Sequence, residues 1–259
     1  MKRAAIAVGA VVAAWLVALL ILGALGTRRQ AERITSGLSE SMQGSAAVGD
    51  VDLALIRGRL SIADLSVQRD DALGHLSLVV PEVRCELPPL GGALVDGNCR
   101  ELAVRGVRLE ISSAALFQLK RPKRPPLHAG RVVIDDAVLE FSPSAFLPSL
   151  GRIAIRIDHA EAGATVMRTP LSWLFALQAL RATFELPAGM TLYVTYAGGV
   201  LGAAGSWFGR APVTLPVTLP VASAFADGKS EIDALVALGK SVAEQLVEKR
   251  AQDWVNSML

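Results

Sequence analysis

The stretch GRLSIADLSV, residues 58–67, sets apolar side chains at Leu60, Ile62, Leu65 and Val67, separated by steps of two, three and two. Strand side chains alternate faces with period two, so the three-residue step throws the second pair onto the face opposite the first. The same step returns at Leu78, Val80, Val83 and Cys85, at Leu102, Val104, Val107 and Leu109, and at Val132, Ile134, Ala137 and Leu139. A weaker copy is Ile155, Ile157, Ala160 and Ala162. Three copies are alike as text, GRLSIADLSV, CRELAVRGVRLEI and GRVVIDDAVLEF, and GRIAIRI opens another. Their starts are irregularly spaced, which excludes a solenoid of fixed period and points to a meander whose strands share one design.

Two accounts of the skip are open. In the first, each break is a β-bulge that places an extra residue against a single partner, returns both apolar halves to one face and bends the strand. The breaks at Ala63-Asp64, Pro81-Glu82, Arg105-Gly106 and Asp135-Asp136 suit it, since proline removes a ladder donor and glycine relaxes the backbone. Bulges repeated in neighbouring strands curve a sheet. In the second, each skip is a tight turn between two very short strands. The bulge account predicts a mainly β body over 45–226, a curved antiparallel, groove-like sheet. Its concave face would be lined by Leu60, Ile62, Leu65, Val67, Val104, Val107, Leu109, Ile134 and Leu139.

Flanking the body are two helical patterns and an apolar run. From Ala4 to Gly26 the chain carries 23 residues without a charge, and as a helix that run spans roughly 34 Å, enough to cross a bilayer. Residues 1–26 therefore read as a cytoplasmic tip and transmembrane anchor. A cleaved signal peptide, with Ala24 and Gly26 ahead of a cut at Thr27, is the alternative. Lys2 and Arg3 on one side nearly balance Arg28, Arg29 and Arg33 on the other, but long domains translocate largely regardless of flanking charge, which favours an exported body. Ile34, Leu38 and Met42, four apart, make 27–44 a short amphipathic linking helix. Residues 227–259 form a long amphipathic helix, with Ser230 and Asp233 resembling a capping box and Ile232, Leu235, Leu238, Val242, Leu246 and Trp254 at helical spacing.

Within the body, Thr169-Pro170 suits a short helix start before LSWLFAL, and ALRATFEL, PAGM and TLYVTYAG read as a hairpin. GGVLGAAGSWFG is too glycine-rich to assign, and the PVTLPVTLP repeat suits an edge strand or extended segment. Cys85 and Cys99 bracket the turn-rich LPPLGGALVDGN and could staple two arms of a hairpin, a link worth about 3 kcal/mol in an oxidising compartment. Cys99 is out of phase with Leu102 and Val104, however, and two buried thiols are the other reading.

Catalytic chemistry finds no foothold. His75, His128 and His159 lie in separate segments without metal-ligand spacing, no glycine loop suits a phosphate, and GSWFG has Trp207 where a nucleophile elbow needs serine. Asp135 and Asp136, adjacent in a strand, point to opposite faces unless bulged and do not make a convergent acid pair. The expectation is a protein that is not an enzyme, with no catalytic or metal-binding residues and no cofactor. A net charge of +2 gives no global field for nucleic acid. The one basic cluster, Lys120, Arg121, Lys123 and Arg124 among prolines, reads as a solvated loop or as a contact for anionic lipid head groups, worth at most about 1 kcal/mol per residue. No aromatics interleave with it for base stacking.

The order of parts, an apolar N-terminal helix, a short linking helix, then VGDVDLALIRGRLSIADLSVQ and strands of the type GRVVIDDAVLEF, resembles the AsmA-like family of bacterial envelope proteins. The resemblance covers residues 1–165; TPLSWLFAL and the terminal helix match only loosely. It implies a single-pass inner-membrane anchor with the body in the periplasm. It also implies a curved sheet with an apolar groove, related in design to bridge-like lipid transfer proteins, with membrane phospholipids as ligand and other envelope proteins as further partners. The function implied is binding or helping to transfer phospholipid in envelope and outer-membrane homeostasis. A non-catalytic structural or assembly factor, its groove filled by its own helix or by a partner, is the rival. This chain is several times shorter than members that could bridge two membranes, which favours a local module.

Overall fold

A computed structural model describes residues 31–54, 58–72, 74–87, 98–116, 118, 127–142, 151–167, 172–205, 213–219 and 228–258. The expected membrane span at 4–26 and the basic cluster Lys120, Arg121, Lys123 and Arg124 lie outside these residues. Among the described residues no helix is long and apolar enough to cross a membrane.

The protein is mainly β. Twelve strands form one sheet: β1 (Ser45–Ala47), β2 (Asp50–Ala54), β3 (Arg59–Asp71), β4 (Gly74–Glu86), β6 (Glu101–Arg105), β7 (Arg108–Ser112), β9 (Val132–Ser142), β10 (Ile153–Ala162), β12 (Leu177–Leu186), β13 (Met190–Ala197), β14 (Val200–Gly205) and β15 (Val213–Pro216). β1 and β2 share the lane beside β3, and β6 and β7 share the lane between β4 and β9. A second, three-stranded sheet joins β5 (Asn98–Cys99), β8 (Leu127–Ala129) and β11 (Thr165–Met167). Helix α1 covers 31–42, α2 is the single turn Ser113–Leu116 and α3 is Gly228–Met258, with 3-10 turns at Ser172–Ala176 and Pro187–Gly189.

The large sheet is mixed, which corrects the expected antiparallel meander: β6 and β7 run parallel to β9. Parallel neighbours need a crossover of a dozen or more residues, and the chain from 113 to 131 supplies one. Elsewhere the antiparallel expectation holds, including the β12–β13 hairpin closed at Leu186 and Met190. The glycine-rich stretch left unassigned contains β14, and VTLP, Val213–Pro216 of the proline repeat, is the edge strand β15. α3 is already helical at Gly228, so Ser230 sits inside its first turn rather than ahead of it.

The repeated skip has a cause that neither sequence account contained in full. Registers run unbroken from β3 to β4, from Ala63↔Glu82 to Leu65↔Val80, although each strand carries its extra residue there. The same holds from β4 to β6 and β7, on to β9, and from β9 to β10. The extra residues are therefore opposite one another. Gly49, Asp64, Pro81, Gly106, Asp136 and Asp158 form one row crossing six lanes. Only where the row ends, between β10 and β12, does the register shift, at Ile157/His159, so the expected bulge against a single partner occurs there and the others are a shared insertion.

Backbone geometry in the row matches its residue types. Asp64 and Asp136 each have φ +52° and Gly106 has φ +71°, in the left-handed region that aspartate and glycine tolerate best. A Cβ on Gly106 would also stand 3.2 Å from Cγ of Pro81, its neighbour in the row. In the two split lanes the chain does break into short strands, at Val48-Gly49 and at Gly106-Val107, and the Gly49 amide donates to the carbonyls of Ala63 and Asp64 at 3.2 Å each.

Cys85 and Cys99 are joined, with Cα atoms 5.4 Å apart. The link does not staple a hairpin: it ties β4 of the large sheet to β5 of the small one, and β5 pairs in parallel with β8. The phase conflict disappears because the chain changes sheets at Arg100, between Cys99 and Leu102.

Candidate apolar binding face

One side of the large sheet is built from the apolar halves of every repeat. With the insertion shared, Leu60, Ile62, Leu65 and Val67 fall on one face and pack in one cluster. Cross-strand register then lines these residues up into rows. One runs Val67, Leu78, Leu109, Leu139, Ile155, Phe184 and Leu192. Another, beyond the insertion, runs Ile62, Val83, Val104, Ile134, Ala160, Leu180, Tyr196, Leu201 and Leu215. Among the described strand residues on this side, the charged ones are Asp71 at the end of β3, exposed and 3.9 Å from Arg69, and Arg69 itself. Arg69 is buried, and it donates to the Met42 carbonyl at 2.9 Å and to that of Gly74 at 3.3 Å, tying the end of α1 to the β3–β4 hairpin.

The opposite side is a lattice of ion pairs, most of them between strands and one, Arg84 with Glu82, within β4. Arg131 bridges Glu161 at 2.9 Å and Glu101 at 3.1 Å; Arg156 meets Glu185 at 2.7 Å; Arg84 meets Glu82 and Arg152 meets Glu140. The Arg131 hydrogen bond holds the Glu161 carboxyl below its ordinary range, and Glu161 in turn raises Arg131. Asp135 and Asp136 both join this lattice, since Asp136 is the inserted residue and breaks the alternation, but they serve different partners. Asp135 takes His159 at 2.8 Å and Arg105 at 3.7 Å, while Asp136 takes Arg108 at 3.3 Å. Among the described residues no cluster could hold a metal ion.

Among the described residues, three parts lie on the apolar side. α1 covers the β3–β4 end through Ile34, Leu38 and Met42. The small sheet, the disulfide and Trp173 of the Ser172–Ala176 turn cover Leu102, Val132, Ala160 and Ala162. α3 reaches the far end, where Leu246 and Val242 pack on Ala203, Val213 and Leu215 and Lys249 donates to the Thr214 carbonyl at 2.9 Å.

Of the nine residues expected to line a groove, Ile62, Leu65, Val67 and Ile134 are buried, the first three in the cluster that α1 joins. Leu60, Val104, Val107, Leu109 and Leu139 are half-buried. Beside Leu109 and Leu139 the half-buried strip continues through Phe141, Ile153, Ile155, Phe184, Leu186 and Leu192. These last six were not singled out from the sequence, although Ile155 stood in the weak fifth repeat and Phe184 in a plain alternation. Aligning the repeats on the skip would have found Ile155. Phe184 lies past the end of the insertion row and needed the β10–β12 register. No family model matches this chain, and no curated protein matches it.

Proposed function

We propose that the chain is a short AsmA-like, membrane-anchored envelope protein whose apolar sheet face binds phospholipid acyl chains and helps transfer them, without catalysis. The observation that carries this reading is the set of apolar rows, the longer crossing nine lanes, with a half-buried strip from Leu109 to Leu192 and no charge among the described strand residues of that side but the Arg69–Asp71 pair at the end of β3. The inserted row supports a bend toward that face, because extra residues increase local twist and curvature and here six lanes carry one at the same level. The ion-paired opposite side supports an outer, wetted surface.

Each methylene removed from water contributes about 0.8 kcal/mol, so an acyl chain on this strip is held strongly against escape to solvent. A lipid leaving a bilayer for the strip exchanges one apolar surround for another, and the exchange is near balance. That suits passage rather than storage. The 4–26 segment would hold the body at a membrane, and a disulfide fits the periplasm of a bacterial envelope.

The full chain, purified from membranes, should carry phospholipid detectable by mass spectrometry, and Leu139→Asp, at a half-buried strip position, should deplete it at least several-fold. Protein free of lipid in both forms would refute the reading. A structural or assembly role is the second reading, favoured by the way α1 and α3 already cover both ends of the face. Crosslinking to one defined envelope protein, with no lipid recovered, would establish it instead.

A further inference from the structure

Helix α3 carries two apolar stripes, and the sheet uses one of them. Its 31 residues span roughly 46 Å. Among the described residues the half-buried or buried positions are Leu235, Leu238, Val242, Leu246 and Lys249, with Ala234 beside them, stepping by three or four along one face. Val242 and Leu246 of that face pack on β14 and β15, and Lys249 reaches the Thr214 carbonyl.

The second stripe lies about a third of a turn away. It is made by Val236, Ala243 and Val247, all exposed, the two valines at 54% and 50%. Ala243 leaves a shallow hollow between Lys240, Glu244, Val247 and Glu248. One flank of the stripe holds Lys240 and Glu244, 3.9 Å apart. The other flank holds Gly239, where a Cβ would meet nothing within 4 Å. A membrane-surface helix borders its apolar stripe with lysine and arginine. Here Glu244 and Glu248 stand beside Lys240, and charges of both signs suit a second helix better.

The order of residues in the stripe matches its own reverse. In an antiparallel pair, a two-fold axis level with Ser241 and Val242 sets Val236 of one copy against Val247 of the other, twice, as an isologous contact requires. Like flanks then share one side of the seam. Lys240 of each copy falls within one residue's rise of Glu244 of the other, giving two opposite-charge pairs along that side. Gly239 and Ala243 let the backbones approach at the crossing. A parallel pair would instead set the charged flank of one helix against the Gly239 flank of the other, and these charges would find no partners across the seam.

We infer that two copies of this chain associate through antiparallel α3 helices, Val236 against Val247 and Lys240 beside Glu244. The pairing does not rest on the lipid-binding reading, since it uses none of the sheet residues invoked there.

The test uses the full chain in detergent micelles, with cysteine introduced singly as Val236→Cys or Val247→Cys; the native cysteines are already joined to each other. When differently tagged copies of the two variants are coexpressed and oxidised, the mixed link between positions 236 and 247 should exceed either self-link at least several-fold. Self-links in excess would show a parallel pair and overturn the arrangement. Absence of any link between copies, with a monomeric wild-type mass by light scattering, would overturn the association itself. So would a monomer whose fluorophore at position 247 responds only to added phospholipid vesicles, or whose position 247 crosslinks to a different protein. Lys240→Glu should lower the dimer fraction at least several-fold, and Lys240→Glu with Glu244→Lys should restore it. A dimer indifferent to both changes would refute the charge pairing.

Discussion

Gly106 carries two constraints at once, a left-handed backbone at φ +71° and a Pro81 ring 3.2 Å from where a Cβ would stand. Gly106→Val should lower unfolding free energy by about 1–3 kcal/mol, because β-branched residues resist that conformation; equilibrium urea denaturation reads it. Asp136→Gly should be far milder, since glycine suits φ +52° and the Arg108 pair it loses is exposed. Glu161 gives a pH prediction. Its folded pKa lies below the ordinary 4.5 because of the Arg131 hydrogen bond. A depressed carboxyl contributes stability above its unfolded pKa and loses it as pH falls through the folded one. Between about pH 5 and pH 3, wild type should therefore lose more stability than Glu161→Gln, as thermal melts across that range will report. At this scale the sequence was informative: the skips marked Ala63-Asp64, Pro81-Glu82, Arg105-Gly106 and Asp135-Asp136 as breaks, and the registers show which residue of each pair is the inserted one. The sequence could not say that the inserted residues face one another, because register is a property of pairs of strands.

At the scale of elements, the disulfide joins two sheets rather than two arms of one hairpin, and its 14-residue separation closes a short loop. A Cys85→Ser, Cys99→Ser double substitution should cost about 3 kcal/mol on the loop-entropy account, seen as a lowered denaturation midpoint that matches wild type under strong reductant. A midpoint unchanged by either treatment would show that packing alone holds the small sheet. The strands of the repeats, the β12–β13 hairpin, α1 and α3 were legible from periodicity. The parallel placement of β9 was not, since nothing in GRVVIDDAVLEF distinguishes a strand reached by a hairpin from one reached by a crossover. Only the length of the 113–131 link hinted at it. The small sheet was missed because strands of two or three residues carry no periodicity at all.

For the whole molecule, the two faces of the sheet divide the chemistry. Charges pair on one side, and on the other apolar rows continue through as many as nine lanes, bent in our account by a shared row of insertions. The candidate face was legible as a face and only half legible as a site. Ile62, Leu65 and Val67 belong to it but are buried in the cluster with α1, whereas the half-buried strip lies toward β9, β10 and β12. Which part of an apolar face stays uncovered depends on where helices and turns from distant sequence come to rest, and no local pattern encodes that. The account stands or falls on whether this strip takes up lipid. Full-length protein incubated with vesicles containing an acyl-fluorescent phospholipid, then separated from them, should carry the fluorophore, and folded Leu139→Asp protein should carry several-fold less. Equal uptake by the two, or none by wild type, would contradict it.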